Sequence, residues 1–164
     1  MSFWPRPSTA DIGLRVYAPD YERLLLDAAL GMLSIIASPQ GQIEAKHQVR
    51  HTSTWTVDHA PGSHDDALLF VSWLDEVLYH LEVHERWLVD AQFMITSEGK
   101  SRRLHAHVAW VEGQHVEREI EIKAVTTHEL SVSMVEAGQE ITSPWADVPS
   151  MSGPGWSADV LFDI

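Results

Sequence analysis

Apolar and polar positions change period several times along this chain, and each change marks an element. Ile12, Leu14 and Val16 alternate with Asp11, Gly13 and Arg15, the period-two pattern of a short, half-buried strand. Ala18-Pro19-Asp20 follows as a turn that opens a helix. From Tyr21 the apolar positions are Leu24, Leu25, Ala28, Ala29 and Met32, which is helical spacing. Ser38-Pro39-Gln40-Gly41 then reads as the loop that ends this helix. Ile43, Ala45, Val49, Trp55 and Val57 share one parity, predicting two strands or one long bent strand. Ala60 to His64 reads as a loop, after which Asp65 and Asp66 stand where a helix N-terminus favours negative charge. The second helix is predicted over Asp66 to His84, where Leu69, Trp73, Val77 and Leu81 recur every four residues. Leu68, Phe70, Val71, Leu74 and Leu78 widen that stripe, so this helix is expected to be largely buried.

The second half of the chain is strand-like. A strand is predicted near Val89 to Thr96, with a turn at Gly99. Leu104, Ala106, Val108 and Trp110 alternate up to a loop at Glu112-Gly113-Gln114. Ile120, Ile122 and Ala124 alternate again, as do Leu130, Val132 and Met134. The segment from Ala137 to Trp156, rich in Gly, Pro and Ser, reads as a loop before a last strand carrying Val160 and Phe162. Two helices and six or seven strands predict an α+β fold, with the helices packed on a largely antiparallel sheet. No internal repeat or low-complexity linker divides the chain, so residues 1–164 are expected to form a single compact domain.

Composition narrows the possibilities. Hydrophobic residues make up 45% of the chain, enough for a proper core. The absence of cysteine excludes disulfides, thiolate metal sites and a cysteine nucleophile, and fits a reducing compartment. Met1 to Pro7 contains no apolar secretory core, and the richest apolar run, Ala67 to Leu74, stops at Asp75-Glu76. A cytoplasmic protein without a membrane span is therefore expected. Acidic residues number 24 against 11 basic ones, a formal charge of −13. Such a surface repels phosphate, so direct nucleic-acid binding is not expected. It favours cations or a basic protein partner, although the same charge also serves solubility alone.

Chemistry is harder to read. There is no phosphate-cradling glycine loop, no Gly-x-Ser-x-Gly elbow and no His-Glu-x-x-His motif. No complete catalytic set can be drawn. Among ten histidines, His80 and His84 share a helix face with Glu76 one turn earlier. That set could hold zinc and serve a metal-dependent hydrolase, although a solvated or capping role is the more ordinary one. His105 and His107 share a strand face under the same discount, and His128 is read as a packing or hydrogen-bonding residue. Asp11 opens the first strand, and Asp163 directly precedes the terminal carboxylate of Ile164. If the first and last strands pair, three carboxylates converge, a donor set for a hard cation. Otherwise Asp11 caps a turn and Asp163 is part of a solvated tail.

Four segments, taken together, carry a family resemblance. Ser8-Thr9-Ala10-Asp11-Ile12-Gly13-Leu14-Arg15-Val16 resembles the opening motif of archeases, and the Tyr21 to Ile36 helix follows at the proper distance. Leu68 to Tyr79 resembles the second-helix signature, Ile122 to His128 the lysine-containing strand, and Val160 to Ile164 the terminal strand. The chain departs from the pattern at Ser8, where the family commonly has histidine, and at Thr127, where it often has tyrosine. The stretch from Gly113 to Ile122 is short and the loop from Ala137 to Trp156 long for that family. The resemblance implies a divalent-metal site at Asp11, Asp163 and Ile164, with calcium foremost and magnesium or manganese as alternatives. It implies an accessory protein rather than an enzyme. The partner would be a GTP-dependent RNA ligase of tRNA splicing, whose guanylylation and repeated turnover are promoted. Lys123 would then be available to contact that partner or a phosphate.

Overall fold

The computed structural model describes residues 2–6, 8, 10–59, 65–99 and 101–164. The loop expected from Ala60 to His64, and Thr9 of the opening motif, lie outside the described residues. In chain order the elements are β1 (Phe3–Arg6), β2 (Ile12–Ala18), α1 (Tyr21–Ile36), α2 (Pro39–His47), β3 (His51–His59), α3 (Asp66–His84), β4 (Arg86–Glu98), β5 (Ser101–Glu112), β6 (Ala124–Val135), β7 (Glu140–Ile141), β8 (Met151–Ser152) and β9 (Gly155–Asp163). Strands β1-β2-β9-β6 form one sheet, β3-β5-β4 a second, and β7-β8 a small ladder. All these pairings are antiparallel. The fold class is α+β, as the periodicity predicts.

Both long helices are capped by aspartate. The Asp20 side chain accepts the Arg23 backbone N–H at 2.7 Å, and Asp65 accepts that of Ala67 at 2.8 Å. The left-handed Glu85 ends α3 (φ 52°), its N–H turned back to the carbonyls of His80 and Leu81. Helix α1 packs against β1, β2 and β9 of the first sheet and β4 of the second, and α3 against β6 of the first and β3 and β4 of the second. The two helices touch each other and form a layer shared by both sheets. That shared position explains apolar faces wider than one stripe. Leu24, Leu25 and Met32 of α1 and Leu69, Trp73, Val77 and Leu81 of α3 are all fully buried. Trp73 keeps its indole N–H satisfied by donating to the Leu25 carbonyl at 2.9 Å. Among the described residues, no helix is long and apolar enough to cross a membrane.

The structure corrects several local readings. Ser38-Pro39 does not lead into a loop; it starts a third helix. The Ser38 hydroxyl accepts the Gly41 N–H at 3.0 Å, with Pro39 in the first turn. The alternation of Ile43, Ala45 and Val49 is therefore not a strand. Ile43 is 53% and Val49 81% exposed, so their shared parity records no buried face. Strand β1 was not legible in Phe3-Trp4-Pro5-Arg6, and its proline is tolerated because β1 is an edge strand. Ile120 and Ile122 belong to an irregular crossing that makes only an isolated bridge, Ala37 to Arg118, although Ile122 is buried. The strand begins at Ala124 and runs through His128 to Val135, with its register shifting between Thr126 and Ser131. The expected loop after Ala137 holds the β7-β8 ladder and buries Val148.

Candidate metal centre

Strand β9 is paired on both sides, and its end gathers the residues that matter. Its register with β2 runs from Trp156 opposite Ala18 to Phe162 opposite Ile12. Its register with β6 starts at Asp163 opposite Ala124. Asp11 directly precedes β2, and Lys123 directly precedes β6. Continuing the β2 register by one step sets Asp11 beside Asp163. Lys123 donates its backbone N–H to the Asp163 carbonyl at 2.8 Å and its ammonium to the Ile164 main-chain oxygen at 3.2 Å. The four candidates from the sequence thus meet at one end of the four-stranded sheet. Asp11 is half-buried, while Asp163 and Ile164 are exposed.

Alternation along β2 and β9 puts Asp11, Arg15, Asp159 and Asp163 on the same, outer face. Their electrostatic situations differ. Asp159 is held by Arg15 through Nε at 2.9 Å and Nη2 at 2.7 Å, and Arg6 Nε lies 3.8 Å away. The carboxylate of Asp159 raises the pKa of the largely buried Arg15 against the opposing effect of burial. Asp11 and Asp163 form no ion pair with a described residue. The neighbouring Lys123 ammonium is engaged by the Ile164 main-chain oxygen. Two carboxylates and a main-chain oxygen without a matching guanidinium fit a hard divalent cation. No cluster of three or more His, Asp or Glu side chains forms a metal cage among the described residues. Such a site therefore relies on the main chain, water or a partner for its remaining ligands.

The histidine set on α3 is built differently. His80 is buried and lies flat against Trp55, with ring centroids 3.8 Å apart and planes within 4°. Its Nε2 is 3.1 Å from Glu76 Oε1, and its buried Nδ1 bonds no described residue. Burial, seconded by Arg86 and His84, pushes its pKa down from 6.5 to about 4. Burial likewise holds Glu76 above the usual carboxylate range. His84 is exposed. His80 is a packed contact hydrogen-bonded to Glu76 beside an exposed His84, and the three are not arranged as a metal-holding group. His105 and His107 lie on the outer face of β5, and His128 is exposed in the irregular part of β6 and is not packed.

One cluster escaped the sequence. Trp145 lies against two guanidiniums, its ring centre 5.2 Å from that of Arg6 and 4.7 Å from that of Arg15. The Tyr17 hydroxyl donates to the Pro149 carbonyl at 3.1 Å. The long loop thereby folds over the outer face of the sheet at Arg6, Arg15 and Tyr17. The charged residues in strands, Arg15 and Asp159, were the visible signal; their pairing across 144 positions was not.

With this geometry in place, comparisons with known proteins are consistent and extend over the whole fold. The chain matches the Archease protein family (MTH1598/TM1083) over residues 3–164. A protein archease of Methanosarcina barkeri is 29% identical over 161 residues, covering 95% of this chain and 91% of that protein. One of Methanothermobacter thermautotrophicus is 29% identical over 129 residues, covering 76% of this chain and 83% of that one. The solution structure of Methanobacterium thermoautotrophicum protein 1598 superposes with a TM-score of 0.61, covering 99% of both chains at 23% identity, which supports the fold. From the opening strand to the paired end of β9, this chain belongs to the archease family.

Proposed function

We propose that this protein is a non-enzymatic accessory factor, which promotes guanylylation and repeated turnover of a GTP-dependent RNA ligase in tRNA splicing or RNA repair. The observation that carries the reading is the β2–β9 register, which runs Asp11 and Asp163 to one sheet end beside Ile164 and Lys123 with no ion pair to either aspartate among the described residues. Membership of the archease family supports the accessory role and this class of partner. Asp11, Asp163 and Ile164 would hold one divalent cation, calcium foremost, with magnesium or manganese able to compete. Bound there, the cation would supply positive charge for phosphate oxygens presented by the partner. Lys123, exposed and beside the same end, is placed to contact the partner or a phosphate. The formal charge of −13 steers the protein towards a basic surface and away from free RNA. A cytoplasmic setting fits both the partner and the lack of cysteine.

The test is ligase guanylylation with GTP, scored with and without this protein. The parent should accelerate label transfer to the ligase and restore turnover, and Asp11→Asn and Asp163→Asn should lose most of that effect. The protein alone should not hydrolyse GTP. Equal stimulation by the parent and both variants would overturn the role of the site. Steady GTP hydrolysis by the pure protein would overturn the accessory reading.

A further inference from the structure

A groove of about 280 Å³ lies between α1, α2 and β4 and shares no residue with the metal centre. Leu30 and Leu33 of α1, Ala45 of α2 and Trp87, Leu88 and Val89 of β4 form its apolar lining. Three successive strand residues line one groove because the chain bulges there. The β4–β5 register steps from Leu88 to Asp90 and leaves Val89 outside it. Leu33, Trp87 and Leu88 are buried, while Leu30 and Val89 are half-buried. Two exposed cations line the same groove: Lys46, in the last turn of α2, and Arg50, beyond it. Their situation differs from that of the other cations. Six arginines are paired with carboxylates, Arg86 lies over Trp110, and the Lys123 ammonium reaches the Ile164 main-chain oxygen. Among the described residues, Lys46 and Arg50 alone have cationic groups with no ion pair, hydrogen bond or ring contact. Glu44, the carboxylate nearest to them in sequence, is turned away to the Glu117 backbone N–H at 2.9 Å. The α2 dipole favours a cation at Lys46, but Arg50 lies past the helix end, where that field has faded.

We propose that this groove docks an acidic segment of a partner protein, with an apolar side chain on its floor and flanking carboxylates on Lys46 and Arg50. Charge complementarity selects the occupant. With a formal charge of −13, the chain repels acidic partners over most of its surface. Here two uncommitted cations stand beside an apolar floor, so a carboxylate gains a charge-assisted bond where its neighbour buries apolar area. Size and shape favour a side chain over a free small molecule. The groove is open to solvent and smaller than the roughly 300–1,000 Å³ of pockets that enclose a ligand. It holds one or two apolar side chains and leaves the segment's backbone outside. Two cations over an apolar floor do not make the extended basic footprint that a nucleic-acid backbone requires.

The test uses the full chain and a short fluorescein-labelled peptide of leucine and glutamate, read by fluorescence anisotropy. The peptide should bind saturably, and high salt should weaken it. Its counterparts with lysine in place of glutamate, or alanine in place of leucine, should not bind. Lys46→Glu and Arg50→Glu, both exposed and without partners to lose, should each weaken binding about tenfold or more, and the double variant should abolish it. Ser34→Phe, which fills the groove from α1, should also block it. Arg118→Gln, a cation elsewhere, should leave affinity unchanged. In NMR spectra the peptide should shift the Trp87 indole N–H and the amides of α2 before other signals. Three results would overturn the proposal: equal binding by parent and double variant, shifts centred on another surface, or equal binding of the lysine peptide. Decanoate or single-stranded RNA bound through Lys46 and Arg50 while the acidic peptide is not would assign the groove to a lipid or a nucleic acid instead. Self-association of the chain that the double variant loses would assign it to a second copy.

Discussion

The stack of His80 on Trp55 makes stability fall in acid, and the size of the effect can be worked out. The imidazole is buried between Trp55 and Glu76, with Arg86 and His84 as its other charged neighbours. Its pKa is pushed down from 6.5 to about 4. A base with a lowered folded pKa binds its proton more weakly in the native state than in the unfolded chain. Stability from this group is therefore fully present above pH 6.5 and is lost as pH falls through the window down to about 4. Linkage over that interval gives a loss of about 2 kcal/mol by pH 5 and about 3 kcal/mol by pH 4. Glu76 acts in the opposite sense, because a carboxyl held above its ordinary range favours the folded state as it takes up a proton. The net wild-type slope is therefore smaller than the His80 contribution.

His80→Phe isolates the contribution by keeping a ring on Trp55 and removing the titration. Urea unfolding of parent and variant at pH 7.5, 5 and 4 gives the stability difference at each pH. Relative to the variant, the parent should lose about 2 kcal/mol between pH 7.5 and 5 and about 3 kcal/mol by pH 4. Carboxylates that titrate equally in both proteins cancel. A difference that stays constant to within about 0.5 kcal/mol would refute the argument, as would an NMR titration placing His80 near an ordinary histidine value.

Three further outcomes are expected. Asp159→Ala leaves the Arg15 guanidinium buried without its bidentate partner and should cost about 3–5 kcal/mol in urea unfolding; the double change Arg15→Met with Asp159→Leu should cost much less. Gly41→Ala drives a methyl group into the Glu117 carbonyl, where backbone meets backbone, and should lower stability by about 1–3 kcal/mol, read as a fall in Tm. Asp11→Asn and Asp163→Asn should each weaken calcium binding by about tenfold or more in calorimetry, whereas His80→Ala should bind calcium as the parent does.

The elements legible in the sequence were those whose burial is decided locally. Asp20 and Asp65 cap α1 and α3, and the four-residue recurrence from Leu69 to Leu81 marks a face that is entirely inside. Helix α2 was misread because it is short and its exposed Ile43 imitates a strand parity. The irregular crossing at Ile120 and Ile122 was misread because a bridge partner near Ala37 lies in a distant part of the chain. The same limit applied to the site. Asp11 and Asp163 could each be named as a ligand candidate, but their meeting depends on the β2–β9 register, which no local pattern encodes. Arg15 and Asp159 were visible as charges in strands, and only that register makes them a pair.

That register also explains why cation affinity should concentrate at one end of the sheet. Asp159 and Asp163 lie on the same face of one strand, four residues or roughly 13 Å apart. Asp159 is neutralised by Arg15, with Arg6 close by. Arg6 is drawn to Glu129 and Asp159, and neither guanidinium forms an ion pair with Asp11 or Asp163. The outer face is therefore balanced in its middle and negative at its end, where oxygen donors favour a hard ion.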